Sequence, residues 1–137
     1  MKKLFLDTNI ILDILAKRVP FYNEAAQLFS LADTGKVELF VSALSFANIN
    51  YILSKMTTTD NARTTLSKLK AIIKITSLDE KIIALALNDV SFSNFEDGLQ
   101  YYSALAANSN VIITRNLKDF QTSSIPVMTA KSFLPTL

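Results

Sequence analysis

Short apolar runs alternate with longer stretches of helical periodicity along the whole chain. Lys3–Leu6, Val37–Val41, Lys74–Ser77 and Val111–Thr114 read as strands, and Pro126–Met128 as a last short one. Between them, apolar residues recur at helical spacing. Strands separated by helices in this way specify a parallel sheet covered on both faces. The expected fold class is therefore α/β, a three-layer arrangement around a central parallel sheet of about four to five short strands.

The helices can be bounded more closely. The first is expected from Asn9 to about Lys17 and is broken by Pro20. The second carries Phe21, Ala25, Leu28, Phe29 and Ala32 on one face and stops at Gly35. Ser42 is placed to cap a helix reaching about Lys55. After a polar turn at Thr57–Asp60, Asp60 or Thr59 is expected to cap a helix that turns Ala62, Leu66, Leu69 and Ile73 inward. A helix from Asp79 to about Val90 would bury Ile82, Ala86 and Val90, and another spans Phe95 to about Asn108. Asn116–Phe120 reads as a short turn or helix. The chain shows no internal repeat, low-complexity tract or linker, so residues 1–137 are expected to form one domain. The apolar faces at 21–34 and 61–73 could serve a partner, although core packing is enough to explain them.

What the chain lacks limits its chemistry. It has no Cys and no His, which excludes disulfides, thiolate zinc sites, cysteine nucleophiles and histidine-based catalysis. Its two glycines, Gly35 and Gly98, cannot supply a P-loop or a dinucleotide fingerprint. Any reaction must use carboxylates, amides, hydroxyls, Lys and Arg, a set suited to hard cations such as Mg²⁺ or Mn²⁺. The net charge of +2 permits nucleic-acid contact, but the Lys and Arg are scattered and form no basic stripe. The opening MKKLFLDTNIILDIL is interrupted by Asp7, Asn9 and Asp13 and has no small-residue cleavage site, so it reads as strand and helix. No apolar run approaches the roughly 20 residues that span a bilayer, and a cytoplasmic location is expected.

Three acids fall at one edge of the anticipated sheet. Asp7 follows the first strand, and Asp119 lies just beyond Val111–Thr114. Asp97 opens the helix that leads into that strand, so the crossover returns it to the same edge, where ligands bind in such folds. Taken singly, each has an ordinary explanation: a helix cap for Asp7, a helix-dipole partner for Asp97, a turn residue for Asp119. Together they would repel one another unless one took a proton or a divalent cation joined them. A bound cation also activates water and stabilises charge on phosphate oxygens, so an all-acid site points to phosphodiester hydrolysis.

The motifs sharpen this. DTNIILDIL at 7–15 and FEDGLQYYSALAANSNVIITRNLKDF at 95–120 resemble the opening and closing elements of PIN domains. VSALSFANINYIL at 41–53 fits the family's central strand and helix, so the resemblance covers essentially the whole chain. It is nearest to the compact bacterial PIN proteins that include VapC-type toxins. The resemblance implies a Mg²⁺- or Mn²⁺-dependent ribonuclease with Asp7, Asp97 and Asp119 as catalytic acids and metal ligands. It implies that Thr114 positions Asp7 or a water, and that Asn9 orients Asp7 through its amide. Where many PIN domains carry Glu, this chain has Asn48, which brings an oxygen but no charge. Glu96 is a candidate replacement ligand, and Asp13 a weaker one. Arg115 is the foremost candidate for RNA phosphate, whereas Lys17, Arg18 and Lys118 read as solvated surface. Tyr101 and Tyr102 read as packing residues. The resemblance also implies a homodimer and an antitoxin protein lying across helices near the site. The alternative readings are a catalytically impaired PIN module that binds RNA or a protein, and a structural acidic cluster.

Overall fold

The computed structural model describes residues 1–137. Its strands are β1 (Lys2–Leu6), β2 (Val37–Ser42), β3 (Lys74–Thr76), β4 (Val111–Ile113) and β5 (Val127–Met128). They form one sheet in the order β3-β2-β1-β4-β5, and every neighbouring pair is parallel. The helices are α1 (Thr8–Leu15), α2 (Tyr22–Asp33), α3 (Ala43–Met56), α4 (Thr59–Lys70), α5 (Glu80–Asn88), α6 (Phe95–Ala106) and α7 (Ala130–Phe133). Single 3₁₀ turns follow at Leu117–Phe120 and Leu134–Thr136.

β1 lies at the centre, and its side chains divide the interior. Leu4 and Leu6 join Val111 and Ile113 on one face, in a cluster that also takes residues from α1, α2, α3, α4 and α7. Phe5 and Ile112 point to the other face, against Tyr101 and Ala104 of α6 and Phe120. Leu4, Phe5 and Leu6 are all fully buried, as a strand covered on both sides requires. Each such side chain contributes roughly 2 kcal/mol of burial. α5 and α6 close the second face, where Ile82, Ala86 and Leu99 pack together. A Cβ on Gly98 would stand 3.4 Å from the Ala86 Cβ, so the absence of a side chain there lets α6 approach α5.

The three-layer α/β reading holds, with corrections in detail. Thr58, rather than Asp60 or Thr59, caps α4; its hydroxyl accepts from Asn61 N–H at 3.1 Å. Val90 is 92% exposed, not inward, because α5 stops at Asn88 and helical spacing no longer governs it. Phe21 precedes α2 and is only partly covered. α7 follows the last expected strand, and its Phe133 is completely buried. Ala25 and Leu28 of α2, and Ala62, Leu66 and Leu69 of α4, are buried in the main cluster. The inward residues of those two faces are thus consumed by the fold itself. The most exposed large apolar side chains of the helices are mainly elsewhere, Tyr51, Met56 and Leu87 among them, although Phe21 and Ile72 at the ends of the two segments are also partly exposed. No helix is long and apolar enough to cross a membrane.

Candidate active site

Asp7 leaves the central strand and caps α1. Its Oδ1 accepts from Thr8 N–H at 2.8 Å, and its Oδ2 accepts from Thr114 Oγ1 at 2.9 Å. Thr114 is itself fully buried at the end of β4, and its hydroxyl also accepts from Asn116 N–H at 3.0 Å. The neighbouring strands β1 and β4 therefore fix this carboxylate between them. Asp97 sits in the first turn of α6, which Asn94 caps through Glu96 N–H, and Asp119 sits in the 3₁₀ turn after β4.

These acids share one hollow of about 400 Å³ at the carboxyl ends of the strands. Asp7, Glu96, Asp97 and Asp119 line it, together with Asn9, Asn48, Asn116, Thr8, Gln100 and Tyr51. No Lys or Arg does. The electrostatic consequence is visible at Asp97, whose carboxyl is pushed up to about 6 by burial and then by the charges of Asp119, Asp7 and Glu96. Burial also raises Asp7, against the lowering effect of its hydrogen bonds to Thr114 and Thr8. As the side chains stand, no three acids are close enough together to hold a metal ion between them. Even so, the donor set suits a hard divalent cation. It is all oxygen, it is rich in acid, and no cationic side chain lines it, the guanidinium of Arg115 acting on Asp7 only as the smallest of the effects on that carboxyl.

Other residues singled out in the sequence fall differently. Asn9 lines the hollow, but its Oδ1 accepts from Arg18 Nη1 at 3.2 Å; Thr8 and Thr114, not Asn9, tie down Asp7. Arg18 is thereby engaged rather than solvated, because Lys17 turns into the left-handed region (φ 50) and Arg18 N–H bonds back to Asp13 C=O at 3.0 Å. Asp13 stays outside the acidic hollow. It is 1% exposed and faces Arg115 Nε at 3.1 Å and Arg18 Nη1 at 3.9 Å. Burial raises its carboxyl, and the two guanidinium groups oppose that. Arg115 also stacks on Phe21, 4.0 Å from the ring centre, beside a second hollow of about 320 Å³. It is bound to a structural partner, not directed into the acidic hollow. Tyr101 packs against Phe92, and the Tyr102 hydroxyl donates to Asp89 at 2.7 Å.

Two further side chains at the site carry only a weak local signal in the sequence. Tyr51, 61% exposed, borders the hollow one turn beyond Asn48, with Lys55 Nζ 4.6 Å from its ring centre. Their spacing from Asn48 along one helix was the available signal. Gln100 is 4% exposed, and its amide reaches Ser45 and Thr8. Its signal was a long polar residue three positions after Asp97 on an otherwise apolar face.

Comparison with known proteins places this geometry. The PIN domain family matches residues 3–118. Ribonuclease VapC1 of Aquifex aeolicus is 29% identical over 139 residues, covering 96% of this chain and 93% of its own. A toxin–antitoxin complex from Klebsiella pneumoniae contains a chain with the same fold. Its TM-score is 0.69 at 22% identity, over 93% of this chain and 97% of that one. VapBC-1 from nontypeable Haemophilus influenzae gives a TM-score of 0.71 at 18% identity, over 94% of this chain and 98% of that one.

Proposed function

We propose, because this chain belongs to the PIN domain family, that it is a metal-dependent endoribonuclease and the toxin of a toxin–antitoxin pair. One observation carries the reading. Asp7, Glu96, Asp97 and Asp119 border a single hollow without any cationic side chain. The similarity to a protein named as a ribonuclease, and to a chain from a toxin–antitoxin complex, supports the substrate and the partner. The working protein would be a homodimer restrained by its antitoxin.

Asp7, Asp97 and Asp119 would hold Mg²⁺ or Mn²⁺, with Glu96 and the Asn48 amide oxygen as further donors. The cation, when bound, lowers the pKa of water and stabilises charge on a phosphate oxygen. The protein's own groups do the rest. Thr114 and Thr8 hold the Asp7 carboxylate in one orientation. Asp97 and Asp119 come from two further elements, so the site forms only when the sheet edge and α6 are in place. Tyr51 offers an exposed aromatic face for a base, and Lys55 beside it a charge for the RNA backbone.

Calorimetric titration of Mn²⁺ into wild type and Asp97→Asn, with RNA cleavage measured in parallel, tests this reading. It expects binding and cleavage to be lost together in the variant. Equal Mn²⁺ binding in both proteins refutes the ligand set. Asn48 on the hollow wall favours a second reading, an impaired module that binds RNA without cutting it. Metal-independent RNA affinity with no cleavage by the wild type would select that one.

A further inference from the structure

The acids of the hollow come from parts of the protein that pack separately. α1 and α3, which flank Asp7 and carry Asn48, bury their apolar residues in the cluster on one face of the sheet. α6, which carries Glu96 and Asp97, buries Leu99, Tyr101 and Ala104 in clusters on the other face. Half-buried Leu44 of α3 is the apolar side chain that reaches across from α3. Apolar packing is non-directional and would tolerate small shifts of one layer against the other. Metal coordination by groups from both layers would not.

A polar junction spans the gap. From α6, Gln100 Nε2 donates to Ser45 Oγ at 2.7 Å and lies 3.4 Å from Thr8 Oγ1. Thr8 Oγ1 and Ser45 Oγ share a hydrogen bond of 2.6 Å, and Ser42 Oγ donates to Ser45 Oγ at 3.2 Å. One amide thus joins α6 to the start of α1 and to the first turn of α3. Thr8 adjoins Asp7, Ser45 lies one turn before Asn48, and Gln100 lies one turn after Asp97. Ser45 and Gln100 are both buried, so these bonds operate where water does not compete for them. A purely structural role would not require so many polar groups at this point: an apolar side chain at 100 could fill the volume without orphaning any atom. As it stands, Gln100 Oε1 is buried without a partner.

We propose that Gln100 is a positioning residue for the acidic hollow. Through Ser45 and Thr8 its amide sets the separation between Asp97 on α6 and Asp7 at α1, so that both reach one cation. This rests on the reading of the site as a metal centre.

The test compares wild type, Gln100→Leu, Ser45→Ala and the double variant. Mn²⁺ affinity is measured by calorimetry, and exchange of the first-turn amides of α6 by hydrogen–deuterium exchange. Gln100→Leu should weaken Mn²⁺ binding about tenfold, the scale on which groups orienting metal ligands act. It should lower kcat for RNA while leaving KM within about twofold. Ser45→Ala should act in the same direction, and the double variant should be no worse than the poorer single one, because both break one junction. First-turn exchange in α6 should quicken in each variant. A lower melting temperature with unchanged Mn²⁺ affinity and unchanged α6 exchange would overturn the proposal, as would losses that simply add. If wild-type protein binds no Mn²⁺, the metal-centre reading fails, and with it the proposed purpose of the junction. If wild type binds Mn²⁺ and Asp97→Asn does not, yet the Gln100 variants match wild type, only the positioning role is lost.

Discussion

Replacing Asp97 with Asn should make the metal-free protein more stable, and only towards neutral pH. Burial, and then the charges of Asp119, Asp7 and Glu96, together raise the Asp97 carboxyl from 3.8 to about 6. The folded chain therefore holds this proton more tightly than the unfolded chain does. Below 3.8 both states are protonated and there is no penalty; as pH rises through about 6, the folded state is progressively disfavoured. A difference of this size corresponds to roughly 3 kcal/mol if unscreened. Asp97 is partly exposed, so solvent reduces the figure to about 1–2 kcal/mol. Asparagine carries no charge and escapes the penalty. For a chain of this length, about 1 kcal/mol moves the melting temperature by about 3 °C. Melts in EDTA should place Asp97→Asn about 3–6 °C above wild type at pH 7.5 and about level with it at pH 3.5. Adding Mn²⁺ should reverse the order at pH 7.5, because the cation stabilises the protein that binds it. A variant equally stabilised at both pH values, or destabilised at pH 7.5, would refute the claim that burial and repulsion penalise the charge of Asp97.

Asn48→Glu should tighten Mn²⁺ binding by about tenfold at pH 7.5, since it adds a charge to the hollow wall. Unchanged affinity in calorimetry would show that position 48 does not face the cation. Thr114→Val should cost about 1–3 kcal/mol in urea denaturation, because it removes the donor to Asp7 and the acceptor for Asn116 N–H; a loss below 0.5, roughly the noise of such changes, would contradict the fixed geometry. Arg115→Ala should cost about 2–3 kcal/mol at pH 7 by leaving buried Asp13 short of a partner. Protonation relieves that charge, so the cost should shrink towards pH 4. A pH-independent loss would indicate that the Phe21 contact, not the ion pair, carries the effect.

Much of this architecture was legible because its signals are local. Apolar runs bounded by polar residues gave the strands, and Ser42 ahead of a helical pattern gave a cap whose hydroxyl does accept from Ser45 N–H. The edge location of Asp7, Asp97 and Asp119 followed from strand–helix order alone. What escaped depends on how surfaces meet. Arg115 reads as a free cation beside an acid until Asp13, far away in the chain, is found buried against it. Asn9 sits two residues from Asp7, yet Lys17 reverses the chain and delivers Arg18 to its amide instead. The junction of Thr8, Ser45 and Gln100 joins three helices, and no spacing along one of them reveals it. Val90 was misplaced because nothing in the local pattern marks the end of α5 at Asn88.

The wall of the acidic hollow carries no Lys or Arg, and that has a consequence for order of assembly. On the proposed reading, an RNA backbone approaching bare carboxylates would meet like charge, and the cation would lower that electrostatic barrier. By thermodynamic reciprocity, whatever factor the cation lends to strand affinity, the strand returns to cation affinity. The cation would then enter first, relieving the mutual repulsion of the carboxylates, and a strand would gain affinity once it is in place.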